Sequence, residues 1–201
     1  MLSVNSAICW KLRGSRATSS VPPGRYRDNV SGADNQQERL DGYISGYVDG
    51  EGSFSVGVNR NPSCRLGYQL VPEVHVSQND DRAEVLHLIQ ARWGGCGYIK
   101  PNGRNDHALV LVVRKRSDLL GRVIPFFERS PLLSSKQDDF EKFALIVREM
   151  DTGRHRTPEG FEALLEIAIS MNGAGRFRRV RWQRLLGHPE SSETVRRTAA
   201  T

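Results

Sequence analysis

Cysteine is scarce in this 201-residue chain: Cys9, Cys64 and Cys96 stand far apart, with no CxxC pair and no clustered histidine. That excludes a disulfide framework and a zinc site built on paired thiolates, and it fits a reducing compartment. Long apolar runs are missing too. The longest is Ala108 to Val113, far short of the ~20 residues a bilayer-crossing helix needs, so no membrane partner is expected. Lysine is rare, at 5 against 24 arginines. That ratio suits bidentate grasp of phosphate or guanine, though GC-rich codon bias explains it as well. Acidic residues are absent from the first 27 positions.

A net charge of +6 and a pI near 9.5 favour a polyanionic partner, because basic side chains that neutralise phosphates release condensed counterions. With 38% hydrophobic residues the chain can build one ordinary core with loose ends. Residues 1–37 read as a non-folding tail rich in Ser, Arg, Gly and Pro, a composition shared by mitochondrial transit peptides. The expected location is the bacterial cytoplasm and nucleoid, with an organelle as the alternative. Residues 38–175 read as the folded domain and 176–201 as a basic extension. Within that extension five arginines surround Val180 and Trp182 between Arg176 and Arg184, read as a solvated helix face with a nucleic-acid arm as the alternative.

Leu40 to Gly50 has helical character. From Ser53 to Arg60, Phe54, Val56 and Val58 alternate with polar residues, the pattern of a half-buried strand. A turn near Asn61-Pro62-Ser63 leads to a second alternating run, Gly67 to Gln78. Asp80 or Asp81 is expected to cap a helix that Gly94-Gly95 stops after Trp93. Tyr98 to Lys100 and His107 to Arg116 make a second hairpin, the latter apolar on both faces and so suited to burial on both sides. Ser117 is expected to cap a short helix interrupted near Pro125, and Ser135 with Asp138 resembles a capping box for a helix through Met150. Thr157-Pro158-Glu159 starts another, ended by Asn172-Gly173. The order is helix, hairpin, helix, hairpin, helix, then extra helices: an α+β domain without a repeated segment.

Chemistry concentrates in one stretch. Gly42, Gly46 and Gly50 recur every four residues and so stack along one face of a helix. Each glycine costs about 1 kcal/mol relative to alanine in a helix interior, so three in a line call for close approach by another helix. No other segment offers a matching stripe, which makes a second copy about a two-fold axis the natural partner. Asp49 and Glu51 lie where the helix macrodipole is already negative, a placement that favours a bound cation. Two such acidic ends brought together repel one another, and Mg²⁺ relieves that repulsion. Carboxylates that gather hard cations beside phosphates are suited to metal-assisted phosphodiester hydrolysis.

Ile44-Ser45-Gly46-Tyr47-Val48-Asp49-Gly50-Glu51-Gly52, followed by Ser53-Phe54, resembles the LAGLIDADG homing endonuclease motif of the single-motif, homodimeric type. The resemblance extends through the element order over roughly residues 38–150. It implies an αββαββα fold with a curved antiparallel sheet that binds double-stranded DNA, and cleavage of a long near-palindromic site with Mg²⁺, Mn²⁺ being a possible substitute. Glu51 falls on the family's metal-ligand position, where Asp is commoner, and Gly50 would lend its carbonyl. Asp49 is the first acid of the motif, either catalytic or a support for the helix interface. Gln78, in Val76-Ser77-Gln78-Asn79, and Arg82 would stand near the water network. Lys136 would polarise the scissile phosphate.

On the same resemblance the polar face of the hairpins reads the major groove. Those residues are Ser53, Ser55, Asn59 and Arg60 on the first strand, and Gln69, Glu73, His75 and Ser77 on the second. Arg65 lies in the loop between them, and Lys100, Asn102 and Arg104 flank the second turn. Three rivals stand beside this reading: a maturase-like protein that binds intron RNA, a non-catalytic DNA-binding regulator on the same scaffold, and an unrelated α+β protein with a glycine-rich loop.

Overall fold

The computed structural model describes residues 32–103 and 107–174. The chain enters as α1 (Gly32–Glu51) and passes without a loop into β1 (Gly52–Arg60). Glycine at 52 permits that junction. A Cβ there would lie 2.5 Å from Val48 Cγ1 and 2.7 Å from the Val48 carbonyl oxygen. β2 (Tyr68–Asn79) returns antiparallel, with Gly52 opposite Val76 and Arg60 opposite Tyr68. A single 3₁₀ turn, Asp80–Arg82, leads to α2 (Glu84–Arg92). β3 (Tyr98–Pro101) and β4 (Ala108–Val113) complete a four-stranded antiparallel sheet in the order β1-β2-β4-β3.

α3 (Arg116–Asp118) continues through a wide π turn, Leu119–Val123, into α4 (Ile124–Arg129). The helix expected to break near Pro125 is instead widened just before it. The looser π turn gives the proline ring room against the preceding turn's carbonyls, and Pro125 then sits in the first turn of α4. α5 (Lys136–Asp151), a 3₁₀ turn at Arg154–Arg156 and α6 (Pro158–Ala174) finish the described chain. Helical dihedrals in α6 stop at Met171, and Asn172 adopts a left-handed φ of 52°, so Asn172-Gly173 does terminate it. At its start the Thr157 hydroxyl accepts from Gly160 N at 3.1 Å.

Alternation decides what the sheet buries. Phe54, Val56, Val58, Leu70, Val74, Val76, Leu111 and Val113 point into a core shared with every long helix. Phe54 is its hub: its ring meets Phe127 at 5.4 Å, Phe140 at 5.3 Å and Phe143 at 5.5 Å, mostly edge-on. The opposite face carries Ser53, Ser55, Glu73, His75 and Ser77, none of them fully buried. β4 is buried on both sides, as its composition implied: Leu111 and Val113 face the core, while Val110 and Val112 fill the other face at 4% and 0% exposure.

Four local expectations need correcting. Residues 32–37, assigned to the tail, form the first turns of α1. They are polar and exposed where described, so no apolar period marks them, but they contain no proline and carry Asp34 in the first turn. Neither Asp80 nor Asp81 caps a helix with its side chain. Ser117 lies inside α3, and Lys115 takes the cap position expected of it. Ser135 is helical and makes no cap bond; the Ser134 hydroxyl accepts from Lys136 N at 3.1 Å in its place. Among the described residues no helix is long and apolar enough to cross a membrane. The expectations for residues 1–31, for Arg104 and for 176–201 concern positions outside the described residues.

Candidate functional site

Four rows of residues, each spaced by four, divide the surface of α1 among four tasks. Ile44 and Val48 are fully buried in the core, with Leu40 partly buried in line with them. The next row ties the helix down. Asp41 accepts from Arg92 Nε at 2.6 Å and Nη2 at 2.7 Å, a bidentate pair that raises the Arg92 pKa. Ser45 donates its hydroxyl proton to the Pro131 carbonyl at 2.9 Å. The Asp49 carboxylate accepts from Leu133 N at 3.2 Å, Ser134 N at 3.0 Å and the Ser134 hydroxyl.

The third row is Gly42, Gly46 and Gly50, diametrically opposite the core. A Cβ added to any of them would have nothing within 4 Å. Nothing inside the described protomer therefore demands glycine at these positions. A groove of about 590 Å³ lies beside them, walled by Glu38, Asp41, Ser45, Arg129, Pro131 and Leu133. Leu133, at its edge, is 93% exposed. The fourth row is Tyr43, Tyr47 and Glu51. Tyr47 donates its hydroxyl proton to the Ser77 carbonyl at 3.2 Å. Burial first, then the negative charge of Glu51, pushes the Tyr47 pKa up.

The C-terminal end of α1 is where charge gathers. Lys136, the first residue of α5, extends its ammonium to the carbonyls of Val48 at 3.1 Å, Gly50 at 3.3 Å and Gly52 at 2.6 Å. Val48 and Gly50 lie in the last turn of α1 and Gly52 opens β1, so the ammonium sits at the negative end of the helix dipole, where a cation is stabilised. Burial lowers the Lys136 pKa, and the charges of Asp49, Glu51 and Asp139 work against that. Glu51 itself is exposed at the last position of the helix and forms no ion pair among the described residues. The motif acids thus have different surroundings: Asp49 is held by the 131–134 loop, whereas Glu51 is exposed without an ion pair among the described residues.

Gln78 lies near this end. β1 begins opposite Val76, so Ser77, Gln78 and Asn79 overrun it and run beside the last turn of α1. Its side-chain oxygen is occupied by Asn79 N at 2.7 Å. Arg82 is not brought in: it is three-quarters exposed in the 3₁₀ turn, 3.9 Å from Asp81, and makes no pair with Glu51. On the open sheet face, Asn59 is exposed at the outer end of β1 and Lys100 on β3, whereas Arg60, also exposed, has the parity of the core-facing Val58; Arg65 in the loop and Asn102 in the second turn are exposed as well. Gln69 accepts from Asn61 Nδ2 at 3.0 Å. Glu73 is engaged at both oxygens, by Arg114 Nε at 2.7 Å and by His75 Nε2 at 2.8 Å.

Sequence reading overlooked Arg114, Tyr47 and Leu133. Arg114 shares the parity of Val110 and Val112, so the register of β4 against β2 would have placed it beside Glu73. Tyr47 was legible as the row-mate of Glu51. Nothing local marks Leu133, whose significance depends on the groove.

Similarity to known proteins accords with this geometry. The profile of the LAGLIDADG endonuclease family matches residues 44–147. A probable intron-encoded endonuclease 2 of Neurospora crassa is 33% identical over 131 residues, 65% of this chain and 28% of that protein. The chain therefore spans little more than a quarter of that relative. The crystal structure of the homing endonuclease I-TnaI superposes with a TM-score of 0.67 at 39% identity, over 73% of this chain and 97% of that one. The homing endonuclease I-LtrWI bound to target DNA superposes with a TM-score of 0.68 at 30% identity, over 72% of this chain and 48% of that one. This chain belongs to the LAGLIDADG endonuclease family.

Proposed function

We propose that the chain is a site-specific DNA endonuclease that works as a homodimer, two α1 helices meeting along their glycine rows. One observation carries this reading: the row turned away from the core is all glycine, with open space above every member. Helices with small residues at the contact can approach until their backbones touch, and a two-fold axis makes the contact self-complementary. The groove beside the row and the exposed Leu133 give each copy a recess and an apolar projection to match. Such a pairing sets the two Glu51 carboxylates near the axis, at the inner end of both sheets.

The donor set there fits a divalent cation. No cluster of three or more His, Cys, Asp or Glu exists among the described residues, so on this reading the ligands come from both copies and from the backbone. Glu51 from each copy, the Gly50 carbonyl and DNA phosphates would supply hard oxygens suited to Mg²⁺. That the Gly50 carbonyl already accepts an ammonium supports its suitability for positive charge. The metal supplies activated water and stabilises the leaving oxygen. The protein's own part is to position. Lys136 fixes the helix end, Asp49 anchors it to the 131–134 loop, and Gln78, on the part of β2 that overruns β1, would orient solvent.

The I-LtrWI complex supports double-stranded DNA as the substrate of this chain too. The open sheet face, with Ser53, Ser55, His75, Ser77 and Lys100, would lie in the major groove, where each base pair shows a distinct pattern. The intron-encoded relative is fungal, which lends the bacterial placement no support, and we favour an organellar setting. The test is cleavage of a plasmid library carrying candidate intron insertion sites, with Mg²⁺ and with EDTA. Linear product that appears with Mg²⁺, disappears with EDTA and returns on adding metal is the expected result. Cleavage indifferent to chelation refutes the metal assignment.

A further inference from the structure

The open face of the sheet holds one charged cluster. Glu73, 16% exposed at its side chain, is ion-paired with Arg114, whose Nε lies 2.7 Å from one carboxylate oxygen, and accepts from His75 Nε2 at 2.8 Å through the other. A carboxylate can only accept, so the His75 proton in this contact is on Nε2. Val74 pairs with Val113, which puts Glu73 and Arg114 side by side across β2 and β4. The Arg114 side chain is 49% exposed on the face that the proposed reading turns toward DNA. Among the described residues no hydrogen bond engages the two terminal amino groups of Arg114, which lie in the guanidinium plane. Two coplanar N–H donors match the O6 and N7 acceptors of guanine in the major groove.

We infer that Arg114 reads a guanine in each half-site and that Glu73, braced by His75, is the positioning residue that aims it. The inference rests on the DNA-binding reading and deepens it. Glu73 then contributes no base contact of its own, in contrast to the expectation that it accepts from cytosine. The position read can also be placed. Glu73 lies four residues outward from Ser77 along β2, about 13 Å at the rise of a strand. Base pairs stack at about 3.4 Å, so the guanine stands about four pairs outward from the one facing Ser77.

The test is binding selection from a randomised duplex library with the full chain, its dimer state checked first, followed by titration of the enriched site. Wild type should enrich guanine at one position per half-site. Arg114→Ala should lose preference at that position alone, and affinity for the guanine-bearing site should fall by about tenfold or more. Arg114→Lys, which keeps the charge and loses the planar fork, should also lose the preference. Glu73→Gln should weaken that single preference and add nothing in the Arg114→Ala background, a pattern that general destabilisation would not produce. Wild type and Arg114→Ala enriching the same site would overturn the inference and spare the DNA-binding reading. So would Glu73→Gln losing a cytosine preference that Arg114→Ala keeps. A wild type that enriches no sequence would overturn both.

Discussion

Replacing Gly46 with alanine should move two stabilities in opposite directions. Within the protomer the new methyl meets nothing within 4 Å, so the substitution acts through backbone freedom alone. Alanine is favoured over glycine in a helix interior by about 1 kcal/mol, which raises the protomer's stability and its Tm by about 2–5 °C. That gain exists in monomer and dimer alike and cancels from the association constant. Between two helices packed at backbone contact the methyl has no room, and overpacking costs about 1–3 kcal/mol at each site. The two-fold axis doubles it to about 2–6 kcal/mol, which weakens the dimer by about 30-fold to 10⁴-fold. Sedimentation velocity over a concentration series, beside thermal unfolding at the most dilute point, reads both effects. A Tm that rises while the dimer constant stays put or tightens would refute packing along this row.

Two other substitutions follow from the same structure. Lys136→Met removes the ammonium from the carbonyls of Val48, Gly50 and Gly52 at the α1–β1 junction; we expect a loss of about 1–2 kcal/mol, seen as a lower urea midpoint with unchanged slope, and no loss would show that water takes the ammonium's place. Phe54→Ala empties the hub of the aromatic core, and a loss of about 3–5 kcal/mol in urea unfolding is expected; a loss under about 1 kcal/mol would contradict its central place.

The parts of this fold legible in the sequence are those that local pattern controls. Phe54, Val56 and Val58 alternate because one face of β1 is buried, and the spacing of Gly42, Gly46 and Gly50 states their common face outright. The first turns of α1 were not legible, since exposed polar residues carry no period. Nor was the Ser134 cap, because Ser134 and Ser135 are chemically alike and only the path of the 131–135 loop selects between them. Pro125 misled for a related reason: a π turn can absorb a proline that an α-helix cannot.

At the site the limit was partnership. Lys136 and Asp49 could be picked out by type, but the carbonyls that hold one and the loop amides that hold the other come from segments over 80 residues away. Glu73 reads as a base contact only through the family resemblance and its strand parity. Of its two protein partners, His75 lies two residues along the same strand, and Arg114 comes beside it only when β4 is registered against β2.

The most direct test of a shared site at the dimer axis is Glu51→Gln, with cleavage, site binding and dimer constant measured on one preparation. The substitution keeps size and removes the exposed charge at the end of each α1, while leaving every described hydrogen bond of that helix in place. Cleavage should fall to background with Mg²⁺ present, while binding and dimerisation stay within a few-fold of wild type. Cleavage that survives the change would contradict the account.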